Sequence, residues 1–318
     1  MKAYKGFNPD MTCRGFKYEE GKTYEMPEED VECCEAGFHA CEYPIDVFDY
    51  YAPSRSVYRK VEAGGKIDKS GDDSKVASSK IKIGAKLTIA GLVKAAISYT
   101  SERTKKEEEA TGDYGASSAT GNRGASSATG NLGASSATGD YGASSATGNY
   151  GASSTTGDYG ASSATGNCGA SSATGYYGAS SATGYRGASS ATGYCGASSA
   201  TGDRGASSAT GNYGASSATG DRGASSATGY CGASSATGDY GASVITGAEG
   251  TSSVGKDTGI AVAWGKGSSA SGVIGSHLVL SEWSLFGELI NAVMVIVDGK
   301  KIKEDTFYRL VGGKVEEA

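Results

Sequence analysis

Cys13, Cys33, Cys34, His39 and Cys41 crowd one short region of the chain. These residue types hold transition metals or attack electrophiles. Metal sites announce themselves as Cys-x-x-Cys or His-x-x-x-His, and Cys33-Cys34-Glu35-Ala36-Gly37-Phe38-His39-Ala40-Cys41 matches neither pattern. Cysteine is among the most buried residue types, so a reduced structural cluster is the expectation, with no metal and no cofactor. The chain has seven cysteines, an odd number without framework spacing, which suits thiols better than disulfides.

A second set of reactive or adhesive side chains recurs at fixed intervals. Tyr114, Arg123, Tyr141, Tyr150, Tyr159, Tyr177, Arg186, Arg204, Tyr213, Arg222 and Tyr240 all occupy the last place of a nine-residue unit. A repeat supplies the same residue at regular steps and cannot converge unlike groups on one point, so these residues suit binding rather than catalysis. Tyr and Arg are enriched at interaction hot spots, which makes them candidates for a binding surface. The plainer reading is that any polar or aromatic residue serves at a solvent-exposed corner, with Tyr stacking on Tyr one coil away.

The elements that position them are written in the repeat itself. From Gly115 to Gly241 the phrase Gly-Ala-Ser begins fifteen times without slippage, and fourteen units read Gly-Ala-Ser-Ser-Ala-Thr-Gly, one of them with Thr155 in place of Ala. Unbroken register marks each unit as one structural step. Ala-Ser-Ser-Ala-Thr alternates as a strand, and Gly-x-x-Gly makes a corner. A closed coil of nine residues would have a contour of only about 30 Å, too little for two strands and two corners. Two units per coil, 18 residues, is therefore expected, giving seven or eight coils for the regular units. Ile260 and Val262 in Gly-Ile-Ala-Val-Ala-Trp-Gly, and Leu278 and Leu280 in His-Leu-Val-Leu, suggest that the second and fourth places of each unit face inward; Val244 agrees, whereas Ile245 and Val254 do not. Disorder is disfavoured because linkers drift, and collagen because Gly is not at every third place.

Composition narrows the function classes. The chain has 318 residues, 51 Gly, 4 Pro and a net charge of −6. No basic run is long enough to track phosphates, so nucleic acid is not an expected partner. The start lacks an apolar secretory stretch and no segment approaches 18 apolar residues, so a cytoplasmic protein away from membranes is expected. A calcium roll needs an Asp at a fixed place in every unit. A DNA mimic needs rows of carboxylates, and residues 111–249 hold six Asp and one Glu against four Arg. Ice binding needs a flat exposed Thr array, and the repeat offers one Thr per unit.

Several stretches resemble known families. KGFNPDMTCRGFKYEEGKTYE followed by CCEAGFHACEYPIDVFDYY resembles an N-terminal domain of unknown function found in phage and prophage proteins, where short Gly/Ala/Ser repeats often follow it. GIAVAWGKGSSASGVIGSHLVLSEW and VDGKKIKEDTFYRLVGGK resemble that family's closing segment. The resemblance implies a phage or prophage origin and names no reaction. A looser likeness, in SSASG and GIAVAWG, is to the heads of trimeric autotransporter adhesins. GFHACEYPIDVFDYY is also similar in layout to a strand and helix of ADP-ribosyltransferase-like folds, which implies His39 in a nicotinamide pocket with Arg14 or Tyr50 nearby.

The expected architecture is mainly β: a nonapeptide-repeat β-solenoid with a small N-terminal α+β domain over residues 1–83, an amphipathic helix capping the open end over 84–110, the solenoid over 111–276 and a C-terminal β-hairpin cap over 277–318, turning at Asp298-Gly299. The expected function is non-enzymatic: protein–protein binding to a host factor, including an anti-defence role, or assembly with copies of itself as a homo-oligomer. The alternatives are a transferase-like domain on a solenoid spacer, or an adhesin-like structural protein.

Overall fold

The computed structural model describes residues 1–69, 74–103 and 105–318, with the backbone alone for 105–109. The polar stretch DKSGDDSK, residues 68–75, reads as a loop in the sequence and falls partly outside the described residues. The chain forms a β-solenoid of about 10 turns, about 18 residues apart, carrying a small N-terminal α+β domain. Strands 18 residues apart pair in parallel and in register, as Ala134 does with Ala116 and Ala152. Alternate units thus build two sheets, one of 12 strands and one of 11. The turns outnumber the seven or eight of the regular units because residues beyond Gly250, as strands Thr251–Val254, Ile260–Ala263, Ser269–Ser271 and His277–Trp283, continue the same coil.

The corners of the regular units are the expected Gly-x-x-Gly turn, as where Gly160 N–H donates to Gly157 O at 3.0 Å. The first Gly of the turn admits no other residue. Gly166 has φ of +156°, and a Cβ there would stand 1.6 Å from Gly148 O in the coil below. That close stacking of corners is why the register never slips.

The inward face is the opposite of the expected one. In strand Ala116–Thr120 the third and fifth places of the unit, Ser117 and Ala119, are buried, while Ala116, Ser118 and Thr120 are exposed. Ile245, Val254, Leu278 and Leu280 belong to this inward set. Ile260 and Val262 point outward. Both parities of the repeated word hold small residues, so burial alone could not separate them in the sequence. The Thr column faces outward on both sheets.

The interior carries a hydroxyl spine. From Ser126 to Ser252 each inward Ser bonds through Oγ to the inward Ser nine residues on, at 2.5–3.0 Å. From Ser171 to Ser243 each hydroxyl donates to the one before it and accepts from the one after it, and Ser252 ends the chain as a donor. A polar core is tolerable only when every member is satisfied in this way. Beside it runs a column of fully buried Ala such as Ala182, Ala191, Ala200 and Ala209.

At the C-terminus each sheet ends in its own hairpin. His277–Trp283 pairs antiparallel with Leu289–Ile296, and Tyr308–Val311 with Lys314–Glu317. The expected single hairpin turning at Asp298-Gly299 is not formed. Asp298 Oδ1 instead accepts the backbone N–H groups of Lys300, Lys301 and Ile302, shaping the crossing from one sheet to the other. Leu278, Leu280, Val297, Tyr308 and Leu310 fill the space between the last strands.

The N-terminal domain is an antiparallel sheet ordered Thr23–Glu25, Lys75–Leu87, Phe38–Cys41, Lys2–Phe7, Val57–Lys69, and pairing between Val57–Lys69 and Lys75–Leu87 closes it into a small barrel. Its interior holds Phe7, Val61, Val76, Ile81 and Ile83. The helix expected over 84–110 occupies Ile89–Arg103 and is followed by strand Lys105–Thr111. It does not cap the open end. It lies flat along the 12-stranded sheet, its buried Leu92, Val93 and Ala96 clustered with Ala179, Ala197 and Ala215. An apolar helical stripe needs an apolar floor, and the outward Ala column of that sheet supplies one.

Candidate functional site

The barrel contains a cavity of about 520 Å³. One wall is the strands Lys2–Phe7 and Phe38–Cys41; another is the hairpin Thr12–Cys13/Phe16–Lys17, whose tip residues Arg14 and Gly15 have φ of +49° and +79°. The short helix Val47–Tyr50 contributes Val47 and Tyr50. His39, Arg14 and Tyr50, far apart along the chain, all line this cavity. Cys13, Cys34 and Cys41 line it too, and only Cys41 is buried, so the expected buried thiol cluster is a cavity wall instead.

Sequence reading missed Lys5 and Lys75, which share the lining. Lys5 is 5% exposed and its Nζ donates to His39 O at 2.7 Å. A Lys in the middle of an otherwise buried strand was the available signal. Lys75 Nζ lies 4.7 Å from the Tyr50 ring centre, a cation–π contact. Burial, then the charges of Lys5, Lys75 and Arg14, press the His39 pKa down to about 4. Burial likewise lowers Lys5.

His39 is therefore neutral at pH 7. Its Nε2 accepts the Cys34 backbone N–H at 3.0 Å, which leaves the proton on Nδ1. With that lone pair engaged, the ring has no nitrogen to offer a substrate as a base.

The corner residues divide between two edges. On one edge Tyr141, Tyr159, Tyr177, Cys195 and Tyr213 meet the N-terminal domain. Tyr141, Tyr159 and Tyr177 stack at centroid spacings of 4.8 and 5.0 Å. Tyr43 meets Tyr159 edge-on at 5.1 Å and donates its hydroxyl to Tyr177 O at 3.0 Å. Asp49 accepts from the Tyr177 hydroxyl at 2.6 Å and from the Cys195 thiol at 3.1 Å. Burial and Asp49 hold the Cys195 thiol well above its ordinary pKa. Arg123 lies on this edge before the seam and is exposed. Tyr114, Tyr150, Arg186, Arg204, Arg222 and Tyr240 occupy the other edge, all exposed.

Among the described residues no helix is long and apolar enough to cross a membrane. No curated protein and no solved structure matches the chain. Residues 1–95, the barrel and the first half of the long helix, match a family described as Domain of unknown function (DUF7666), so the residues lining the cavity all lie within that match.

Proposed function

We propose that the protein is a non-enzymatic, phage- or prophage-encoded repeat protein that acts by protein–protein binding, through the solenoid face that the N-terminal domain leaves bare. One observation carries this reading. At the C-terminal end of that face one outward column runs Val244, Val262, Val279 and Met294, paired side by side across the strands, and the next holds Ile260 and Ile296 on either side of His277. The corresponding outward places on the 12-stranded sheet are Thr251, Ser253, Ser269 and Ser271. Met294 is 64% exposed. Apolar residues gathered outward on one sheet and replaced by hydroxyls on the other are not required by the fold, and such patches mark interaction sites. The Tyr and Arg corners of the free edge border the same face and supply rim contacts.

The partner is a host protein in the cytoplasm or a second copy of the chain. The test is affinity capture from infected or lysogenic cells, with light scattering for self-association, on wild type and on Val262→Lys/Met294→Lys. Both sites are outward, so circular dichroism should be unchanged while capture or self-association is lost. Equal capture and equal association by the variant would reject this face.

The convergence of His39, Arg14 and Tyr50 favours a second reading, a transferase-like domain on a solenoid spacer. It requires NAD to be consumed and consumption to fail in His39→Ala. The engaged His39 lone pair weighs against it.

A further inference from the structure

Among the described residues Lys5 is one of two buried charged side chains, with Asp46. Its Nζ donates to a carbonyl, meets the Cys13 thiol and lies 5.5 and 5.7 Å from the Phe7 and Tyr18 ring centres, and none of the ion pairs among the described residues includes it. A desolvated ammonium without a counter-charge is costly and is kept where something supplies the missing charge. Arg14 and Lys75 line the same cavity, and among the described residues Glu35 is the one carboxylate of the lining, so the described wall is cationic on balance. Aromatic rings make up much of the remaining wall, among them Tyr4, Phe16, Tyr18, Phe38, Tyr50 and Tyr51. The volume of about 520 Å³ is within the range of small-molecule sites.

We infer that the barrel cavity binds a small organic anion, an aromatic body bearing one phosphate or carboxylate group, with Lys5 at the bottom and Arg14 at the mouth contacting the acid and the rings holding the body. Arg14 is exposed and sits in a left-handed turn at the hairpin tip, which presents its guanidinium at the opening. Arg suits both acids because its planar fork meets two oxygens at once. The site involves no solenoid residue, so it stands or falls independently of the partner-binding reading.

Calorimetry on the full chain tests it, with phenyl phosphate and phenylacetate as the two acid arms and inorganic phosphate and benzyl alcohol as controls. One aromatic anion should bind, one per chain, at least about tenfold more tightly than either control. The stronger arm identifies the acid. Arg14→Ala should weaken binding about tenfold, and Lys5→Met should abolish it while raising the Tm of the ligand-free protein, because the unpaired buried charge is gone. A second readout needs no variant at Lys5. Bound anion offsets the cations around His39, so the His39 pKa measured by NMR should climb from about 4 on adding the ligand. No heat from either aromatic anion at concentrations on the order of 10 mM would overturn the site. Binding no tighter than that of inorganic phosphate, binding unchanged in Arg14→Ala and Lys5→Met, or a His39 pKa that ignores the ligand would overturn it equally.

Discussion

The two faces of the solenoid carry the same word and live in different environments. Ala161, Ala179, Ala197 and Ala215 on the 12-stranded sheet are buried, and Ala152, Ala170, Ala188 and Ala206 on the 11-stranded sheet, one unit away in sequence, are exposed. Nothing in Gly-Ala-Ser-Ser-Ala-Thr-Gly decides which face is covered. The decision sits in the two drifting corner residues. The edge that receives the N-terminal domain holds Tyr141, Tyr159, Tyr177, Cys195 and Tyr213, and the other edge runs Tyr150, Cys168, Arg186, Arg204, Arg222, Tyr240. A constant word makes the coil; the variable pair makes the docking seam.

Deletions should break this comparison most severely. Removing 187–195, one unit, keeps the serine spine but swaps the edges for all later corners, so Arg204 takes the seam position of Cys195 and Tyr213 leaves the seam. Removing 187–204, two units, puts Tyr213 where Cys195 was and restores both edges. The single-unit deletion should cost about 3 kcal/mol or more in denaturant unfolding, on the scale of losing a large buried side chain, and the two-unit deletion should cost far less. Equal stability of the two would remove the distinction between the edges.

Point substitutions at the seam come next. Tyr43 is 1% exposed between Tyr99 and Tyr159, so Tyr43→Ala should destabilise docking by about 3–5 kcal/mol. Tyr150→Ala, on the free edge, should fall within about 0.5 kcal/mol of wild type. Thermal melts of the two variants side by side check the contrast.

Inside against outside gives a smaller difference. Ser207 donates to Ser198 and accepts from Ser216 in the buried spine, while the neighbouring Ser208 is exposed on the bare face. Ser207→Ala leaves a buried hydroxyl unsatisfied and should cost about 1–3 kcal/mol. Ser208→Ala should be close to neutral. Reversed magnitudes would restore the opposite inward face.

Acid should also separate the covering domain from the coil. His39 is depressed to about 4 from an ordinary value near 6.5, so the folded barrel prefers it neutral. The unfolded chain takes up the proton first as pH falls, so barrel stability is full above about 6.5 and declines through the window down to about 4. His39→Gln should flatten that decline in pH-dependent melts.

How much of this was legible follows from the same contrast. The 18-residue coil, the Gly corners and the small N-terminal domain were readable because register and turn chemistry are local. The inward parity was not, because Ser and Ala occupy both parities and a hydroxyl chain makes the Ser column a permissible interior. Ile260 and Val262 looked like core because they are apolar, and they face out. The helix showed its apolar stripe, Leu92, Ala96 and Tyr99, but a stripe does not say whether it covers an end or a flank. His39, Arg14 and Tyr50 were found without the lysines that give their cavity its charge, because Lys5 and Lys75 come together only through the pairing of Lys2–Phe7 and Lys75–Leu87 with Phe38–Cys41.

The native cysteines offer the most direct test that the corner pair sets the seam. Cys195 is fully buried beside Asp49, and Cys168 sits half-buried on the opposite edge. Both occupy the last place of their units. Maleimide labelling of the intact protein at neutral pH, read out peptide by peptide by mass spectrometry, should modify Cys168 readily and leave Cys195 protected, since a buried thiol with a raised pKa offers little thiolate. Labelling of Cys195 as fast as Cys168 would contradict the docked seam and, with it, the division of the solenoid into a covered and a bare face.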